Sequence, residues 1–370
     1  MRKPRVLFYY PQHFNRTAQG TNPFFDKLLE TCDKYGVSYR LYEEPDGGTD
    51  KPHNPKARKA DFFFWLVWFI RKIVKIFSKE DFYHREKYVA KIVNVLTLGY
   101  FKHPVYVTIS ESMLHLFAYL NDDAKVYDIQ HGVQYKDFRC FYNETKFLNY
   151  HYDKSNIYFL NFGNGYRTAL IDGAEEKMGH RVHVIGCPLD IRNIEVSYSK
   201  RSKKVVVALQ MTDSSNAEEL KYLKEQLDNL LNEFSGLEYE ILLRHHPRYN
   251  DCIDISDLLQ KYSFAKISND ALSDIAKSVL LHITIASTTA FDIAMYGVPS
   301  YFAGSFLTGN YLSFYDDYSY PLYKGMSIRD VLRRLSKQEL WEADSAIIRD
   351  WYSSYYEPFA EAKFISLITN

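Results

Sequence analysis

The sequence predicts an α/β protein built from two doubly wound parallel-sheet domains in series. Three observations predict it. Apolar runs of strand length alternate with amphipathic segments of helix length; a polar, basic stretch, Tyr198-Ser-Lys-Arg-Ser-Lys-Lys204, interrupts the alternation; and the alternation then restarts. At 370 residues the chain is long enough for two ordinary domains. The expected division is 1–197 for an N-terminal domain, 198–204 for a linker, 205–345 for a C-terminal domain, and 346–370 for a C-terminal helix that can return to the first domain.

Arg5–Tyr10 is an unbroken apolar run and reads as a strand. Phe24–Tyr35 follows as a helix, with Phe25, Leu28, Leu29 and Cys32 on one face. Val37–Tyr42 is a second strand. Glu44 to Ala57, rich in Pro, Gly, Asp and Asn, reads as a mobile loop. A helix over about Glu80–Gly99, a strand at Val105–Ile109, a helix at Glu111–Leu120 and strands at Val126–Gln130, Asn156–Asn161 and Arg181–Ile185 complete the first half. After the break, strands are expected at Val205–Leu209, Tyr239–Leu243, Ala265–Ile267, Leu280–Ile285 and Ser300–Phe302. Helices are expected at Ala217–Phe234, near Leu272–Ser278 and near Ala290–Tyr296. Strands separated by helices imply right-handed parallel crossovers.

The segment Phe62–Ile70 is nine apolar residues without a break, followed by Arg71, Lys72, Lys75 and Lys79. It is too short to span a bilayer, which takes about 20 residues. At about 100° per residue the four cations share one arc, the pattern of a helix lying in a membrane interface. A core or dimer helix is the alternative.

Charge and cysteine content exclude several classes. The 46 Lys+Arg cancel the 46 Asp+Glu, so no broad basic face exists to hold nucleic acid. The four cysteines are widely spaced and form no CxxC motif, against a disulfide framework or zinc knuckle. The apolar run after Met1-Arg2-Lys3-Pro4-Arg5 is too short for a signal peptide, so the expected location is cytoplasmic.

In an open parallel sheet the ligand sits beyond the carboxyl ends of the strands, so a cleft between the facing strand ends of two such domains is the expected site. Arg244-His245-His246-Pro247-Arg248 follows a strand and suits a phosphate, or is simply a basic surface turn. Ser287-Thr288-Thr289 opens a helix after a strand, offering hydroxyls and free amides to an anion, or plain N-capping. Asp292, one turn in, can accept from a ribose or complement the helix dipole. His131, between Gln130 and Gly132, suits acid–base work near neutral pH or serves structure. Glu111, expected to open a helix, is a base or a carboxylate at the positive helix end. No G-x-G-x-x-G follows the first strand, and neither a P-loop nor a strand-end Asp-x-Asp is present, so no metal is expected.

The ordered set Gln130-His131-Gly132, Ile185-Gly186-Cys187-Pro188-Leu189-Asp190, His246-Pro247, and Ser287-Thr288-Thr289 with Gly297-Val298-Pro299 resembles bacterial GT-B glycosyltransferases of surface-polysaccharide assembly, in capsule and lipopolysaccharide pathways. The parallels are capsule β-Kdo transferases, polysialyltransferases and teichoic-acid glycerophosphotransferases. The resemblance implies two Rossmann-like domains facing a cleft. It makes His246 and Ser287–Thr289 ligands of a donor phosphate, and puts His131 on the acceptor side. It implies a nucleotide-sugar donor as substrate, with CMP the favoured nucleotide, and no cofactor. It further implies a glycan or glycolipid acceptor. With the basic, aromatic helix around Phe62–Phe77, the expected place is peripheral on the inner face of the cytoplasmic membrane, and the charge balance leaves no nucleic-acid partner expected. A nucleotide-sugar 2-epimerase of the same fold and a non-catalytic assembly partner are the alternatives.

Overall fold

The computed structural model describes residues 4–133, 156–171, 179–189, 194, 196–211, 216–246, 253–307 and 313–370. Met1–Asp190 together with Tyr355–Asn370 form one compact unit, and Ile191–Ser354 form a second.

The first unit is a seven-stranded sheet in the order β3-β2-β1-β4-β5-β6-β7. Its strands are β1 (Val6–Pro11), β2 (Tyr39–Glu44), β3 (Arg58–Lys59), β4 (Val105–Ile109), β5 (Lys125–Ile129), β6 (Ile157–Asn161) and β7 (Val182–Val184). Every pairing is parallel. Such strands are covered on both faces, which is why β1 reads as a continuous run of buried Val, Leu, Phe and Tyr. Among the described residues its helices are α1 (Pro23–Lys34), α2 (Asp61–Phe77), α3 (Phe82–Leu96), α4 (Leu114–Leu120) and α5 (Asn164–Ile171). α1 starts where its chemistry says: Asn22 accepts from the Phe24 amide at 3.0 Å, and Pro23 takes the first helical position. A core of Tyr9, Phe63, Val67, Val93, Tyr106 and Phe117 joins one sheet face to α2, α3 and α4.

Two expectations are corrected here. The segment read as a mobile loop before α2 is tied down by buried Glu43. Its Oε2 accepts from the Asn54 amide at 2.8 Å and from Asn15 Nδ2 at 2.7 Å, while its Oε1 lies 2.5 Å from His53 Nδ1. Arg71, read as one of four lipid-facing cations, instead pairs with buried Glu86 of α3. Glu86 needs that partner, because an unpaired buried carboxylate is costly. Among the described residues, no helix is long and apolar enough to cross a membrane.

The second unit is a five-stranded parallel sheet, β10-β9-β8-β11-β12. Its strands are β8 (Lys204–Ala208), β9 (Glu240–Arg244), β10 (Ala265–Ile267), β11 (Leu281–Thr284) and β12 (Ser300–Phe302). Among the described residues its helices are α6 (Ala217–Glu233), α7 (Ser256–Lys261), α8 (Leu272–Ile275), α9 (Thr289–Ala294), α10 (Phe314–Asp317) and α11 (Ile328–Leu335), followed by α12 (Gln338–Tyr355).

Tyr198–Lys204 is part of this unit rather than a free tether. Arg201 donates to the carbonyls of Val279 at 2.9 Å and Tyr296 at 2.8 Å, and its guanidinium lies 4.7 Å from the Trp341 ring centroid. A guanidinium fits here because its fork satisfies several carbonyls at once.

The chain re-enters the first unit at Tyr355, not at 346. Helix α13 (Glu361–Thr369) packs on α1, with Glu361 bound to Lys34 at 2.6 Å. The returning segment passes directly over Gly186. Cys187 N donates to Glu357 O and Ala360 N to Ile185 O, both at 2.8 Å. Gly186 has φ +80°, and a Cβ there would lie 2.1 Å from the Pro358 carbonyl oxygen. Glycine is therefore dictated at this crossing by both backbone angle and space.

Candidate functional site

Each sheet reverses its strand order at one place: between β1 and β4 in the first unit, and between β8 and β11 in the second. The crevice outside the strand ends at such a switch point is where ligands of doubly wound sheets bind.

In the first unit, Glu111 follows β4 and His131 follows the neighbouring β5. Glu111 does not open a helix, since α4 begins at Leu114. It lies in a left-handed run instead, with φ +60° at Ser110, +54° at Glu111 and +53° at Met113. For residues with a Cβ this costs roughly 1–2 kcal/mol each, strain of the kind that accumulates at functional turns. Hydrogen bonds hold the turn. Glu111 N donates to Asp128 Oδ1 at 3.2 Å, Thr108 Oγ1 donates to the Ser112 carbonyl at 2.6 Å, and the Ser112 hydroxyl donates to Glu44.

Burial pushes the Asp128 carboxyl well above the ordinary carboxylate range, and the charge of Glu111 pushes it further. Burial also raises Glu44, against the bonds from Ser112 and Tyr9. Strand alternation sets Glu44, Thr108, Asp128 and Asn161 at the carboxyl edge of the sheet, on the face that carries the α2–α4 core. Asn161 is fully buried, and neither side-chain amide atom has a hydrogen-bond partner among the described residues.

His131 packs edge-on against Phe14 with ring centroids 5.4 Å apart. Burial pushes its imidazole down to about 4, and the charges of Arg16 and His13 add to this. Around pH 7 this shift leaves His131 a neutral imidazole.

In the second unit two predicted clusters flank β8. Arg244 ends β9 and donates to the Asp270 carbonyl; His245 and His246 follow, with His246 exposed. Pro247 and Arg248 lie outside the described residues. Across β8, the turn after β11 carries Ser287, Thr288 and Thr289. Gln210, just past β8, pins this turn. Its Oε1 accepts from Thr284 Oγ1 at 2.9 Å, Ile285 N at 3.1 Å and Ala286 N at 2.6 Å.

Of the three hydroxyls, two are committed internally. Thr289 Oγ1 donates to Ser287 Oγ at 2.9 Å and lies 3.2 Å from Nε2 of buried His282, whose Nδ1 lies 2.8 Å from Ser300 Oγ. Burial pushes His282 down to about 3, so it is neutral. Thr288 is the hydroxyl left exposed, and Asp292 is exposed in the first turn of α9.

Sequence reasoning missed Asp128, Asn161, Gln210 and His282. A signal existed for each: a polar residue inside or just beyond a buried apolar strand, in VYDIQ, YFLNF, VALQM and LLHIT.

No protein-family model matches the sequence, and no curated protein matches it. Solved structures do. The chain is similar to the wall teichoic acid polymerase TagF at 15% identity, over 99% of this chain and 88% of that one, with a TM-score of 0.51. It is similar to UDP-GlcNAc 2-epimerase from Neisseria meningitidis, solved bound to UDP-GlcNAc, at 10% identity over 99% and 100% of the chains, with a TM-score of 0.55. The lipopolysaccharide outer core galactosyltransferase WaaB matches at 11% identity, over 98% of each chain, with a TM-score of 0.53. At these identities the likeness is one of fold. The protein is α/β with two Rossmann-like units, as in GT-B proteins.

Proposed function

We propose that the protein is a glycosyltransferase that moves a sugar from a nucleotide-activated donor to a lipid-linked or surface-polysaccharide acceptor. The observation that carries this reading is the second unit's switch point. There Gln210 holds the Ser287–Thr289 turn on one side of β8, and Arg244, His245 and His246 stand on the other. The amides of Ala286, Ser287 and Thr289 are committed within the protein, so the exposed Thr288 hydroxyl and the basic side chains at the end of β9 are the groups that suit a nucleotide phosphate. Neutralising that phosphate with side-chain cations eases departure of the nucleotide, with Arg248 a further candidate and no metal required. In the first unit, His131 and Glu111 follow neighbouring strands, and either is a candidate base for an acceptor hydroxyl. The exposed aromatic face of α2 supports a peripheral place on the inner face of the cytoplasmic membrane. The fold likeness to UDP-GlcNAc 2-epimerase keeps that activity as the second reading.

The test is calorimetric titration with CMP, CDP, UDP and GDP and their sugar conjugates, followed by product analysis with and without glycolipid acceptor. One nucleotide should bind to wild type. His246→Ala and Thr288→Ala should each weaken it by roughly 1–3 kcal/mol, a lost charged hydrogen bond. No binding, or unchanged binding in both variants, refutes the donor site; a conjugate epimerised without acceptor selects the second reading.

A further inference from the structure

Two helices of the first unit expose apolar side chains in stripes. On α2, at about 100° per residue, Phe62, Trp65, Phe69, Ile73, Ile76 and Phe77 fall within an arc of about 120° beside the face that buries Phe63, Val67, Ile70 and Val74. Lys72 and Lys75 occupy the arc on the stripe's other side, and Lys79 follows the helix. On α3 the same design recurs. Tyr88, Ile92, Val95 and Leu96 share an exposed arc of about 100°, with Lys87 and Lys91 along its edge. Phe77 is 84% exposed, Ile76 78% and Val95 73%, so these are not partly covered core residues. Between the helices runs an open groove of about 650 Å³. Ile73 and Phe77 line one wall and Tyr88 and Ile92 the other, so the two stripes are continuous.

Resting on the membrane reading above, we infer that α2 and α3 enter the lipid interface together as one hairpin, and that the groove between them takes a lipid acyl chain. The chemistry of the surface selects this occupant. An apolar area spanning two helices exceeds what a soluble surface usually leaves bare. The lysines that border both stripes, Lys72, Lys75, Lys87 and Lys91, match the negative charge of anionic headgroups. Headgroups pair with those lysines, while acyl chains cover the stripes. The Arg71–Glu86 pair keeps the helices at a fixed separation, so the groove is built before lipid arrives.

The experiment uses the full chain and vesicles of 30% phosphatidylglycerol in phosphatidylcholine. Ile92→Ser with Val95→Ser alters exposed positions on α3, and circular dichroism checks that the fold is kept. The double variant should lose at least tenfold in vesicle affinity. In a Trp65→Phe, Trp68→Phe background, Ile92→Trp should be quenched by lipids brominated along the acyl chain. Wild-type sedimentation with an unaffected α3 variant and an unquenched Ile92→Trp overturns the hairpin insertion but leaves the membrane reading standing. Wild type remaining in the supernatant overturns both, and a dimer abolished by the α3 variant then identifies a second copy as the occupant.

Discussion

Arg71 and Glu86 tie α2 to α3 through a two-point contact. Arg71 Nε donates to Glu86 Oε1 at 2.8 Å and Nη2 to Oε2 at 2.6 Å, with the Glu86 side chain 1% exposed and the Arg71 side chain 29%. The parallel fork fits a carboxylate in a way a single ammonium does not. Arg71→Leu should therefore cost roughly 2–4 kcal/mol in urea unfolding, since it strands a buried carboxylate. Arg71→Leu with Glu86→Leu should recover most of that loss. A single variant as stable as wild type would mean that the Glu86 carboxylate does not depend on Arg71.

His131 links protonation to stability. The unfolded imidazole takes up its proton near pH 6.5 and the folded one near 4, so between these values the unfolded chain binds the extra proton. Stability is therefore lost as the pH falls from about 6.5 to about 4, and His131 contributes nothing to the pH dependence above that window. His131→Gln should make the decline across this window shallower than in wild type, measured as the difference between denaturant midpoints at matched pH. If His131 is also the base, the acid limb of kcat/KM should sit well below pH 6.5, and the variant should lose roughly 10²–10⁴-fold in turnover.

Gln210 positions a turn without touching solvent chemistry itself. Gln210→Ala removes the acceptor of three donors and should cost roughly 1–3 kcal/mol in stability. Nucleotide Kd should rise as the Ser287–Thr289 turn loosens, and Gln210→Glu, which keeps the acceptor oxygen, should restore part of it. Loss of stability with no change in Kd would confine Gln210 to a packing role.

Eleven of the twelve described strands were legible because buried parallel strands are apolar runs, and their boundaries fell within two residues of the observed ones. The edge strand β3, Arg58–Lys59, has no apolar residue and was missed. Strand-end positions of Glu111, His131, Arg244 and Ser287 follow directly from those runs. What the sequence did not reveal was long-range pairing. Arg201 reads as one more cation in a basic tether, and Arg71 as one more cation on an interfacial helix. Each is instead consumed by groups 15 or more positions away. The left-handed backbone at Glu111 was also hidden, because no glycine marks it.

The crossing at Gly186 has a consequence for how the chain is made. The first unit is interrupted by the whole of Ile191–Ser354 and is completed by residues 355–370. During synthesis the second unit is a contiguous stretch and can close as soon as it emerges, whereas the first must wait with its α1 face uncovered until α13 is released. Nonsense truncation near residue 355 would thus spare the segment being translated and damage the one finished long before.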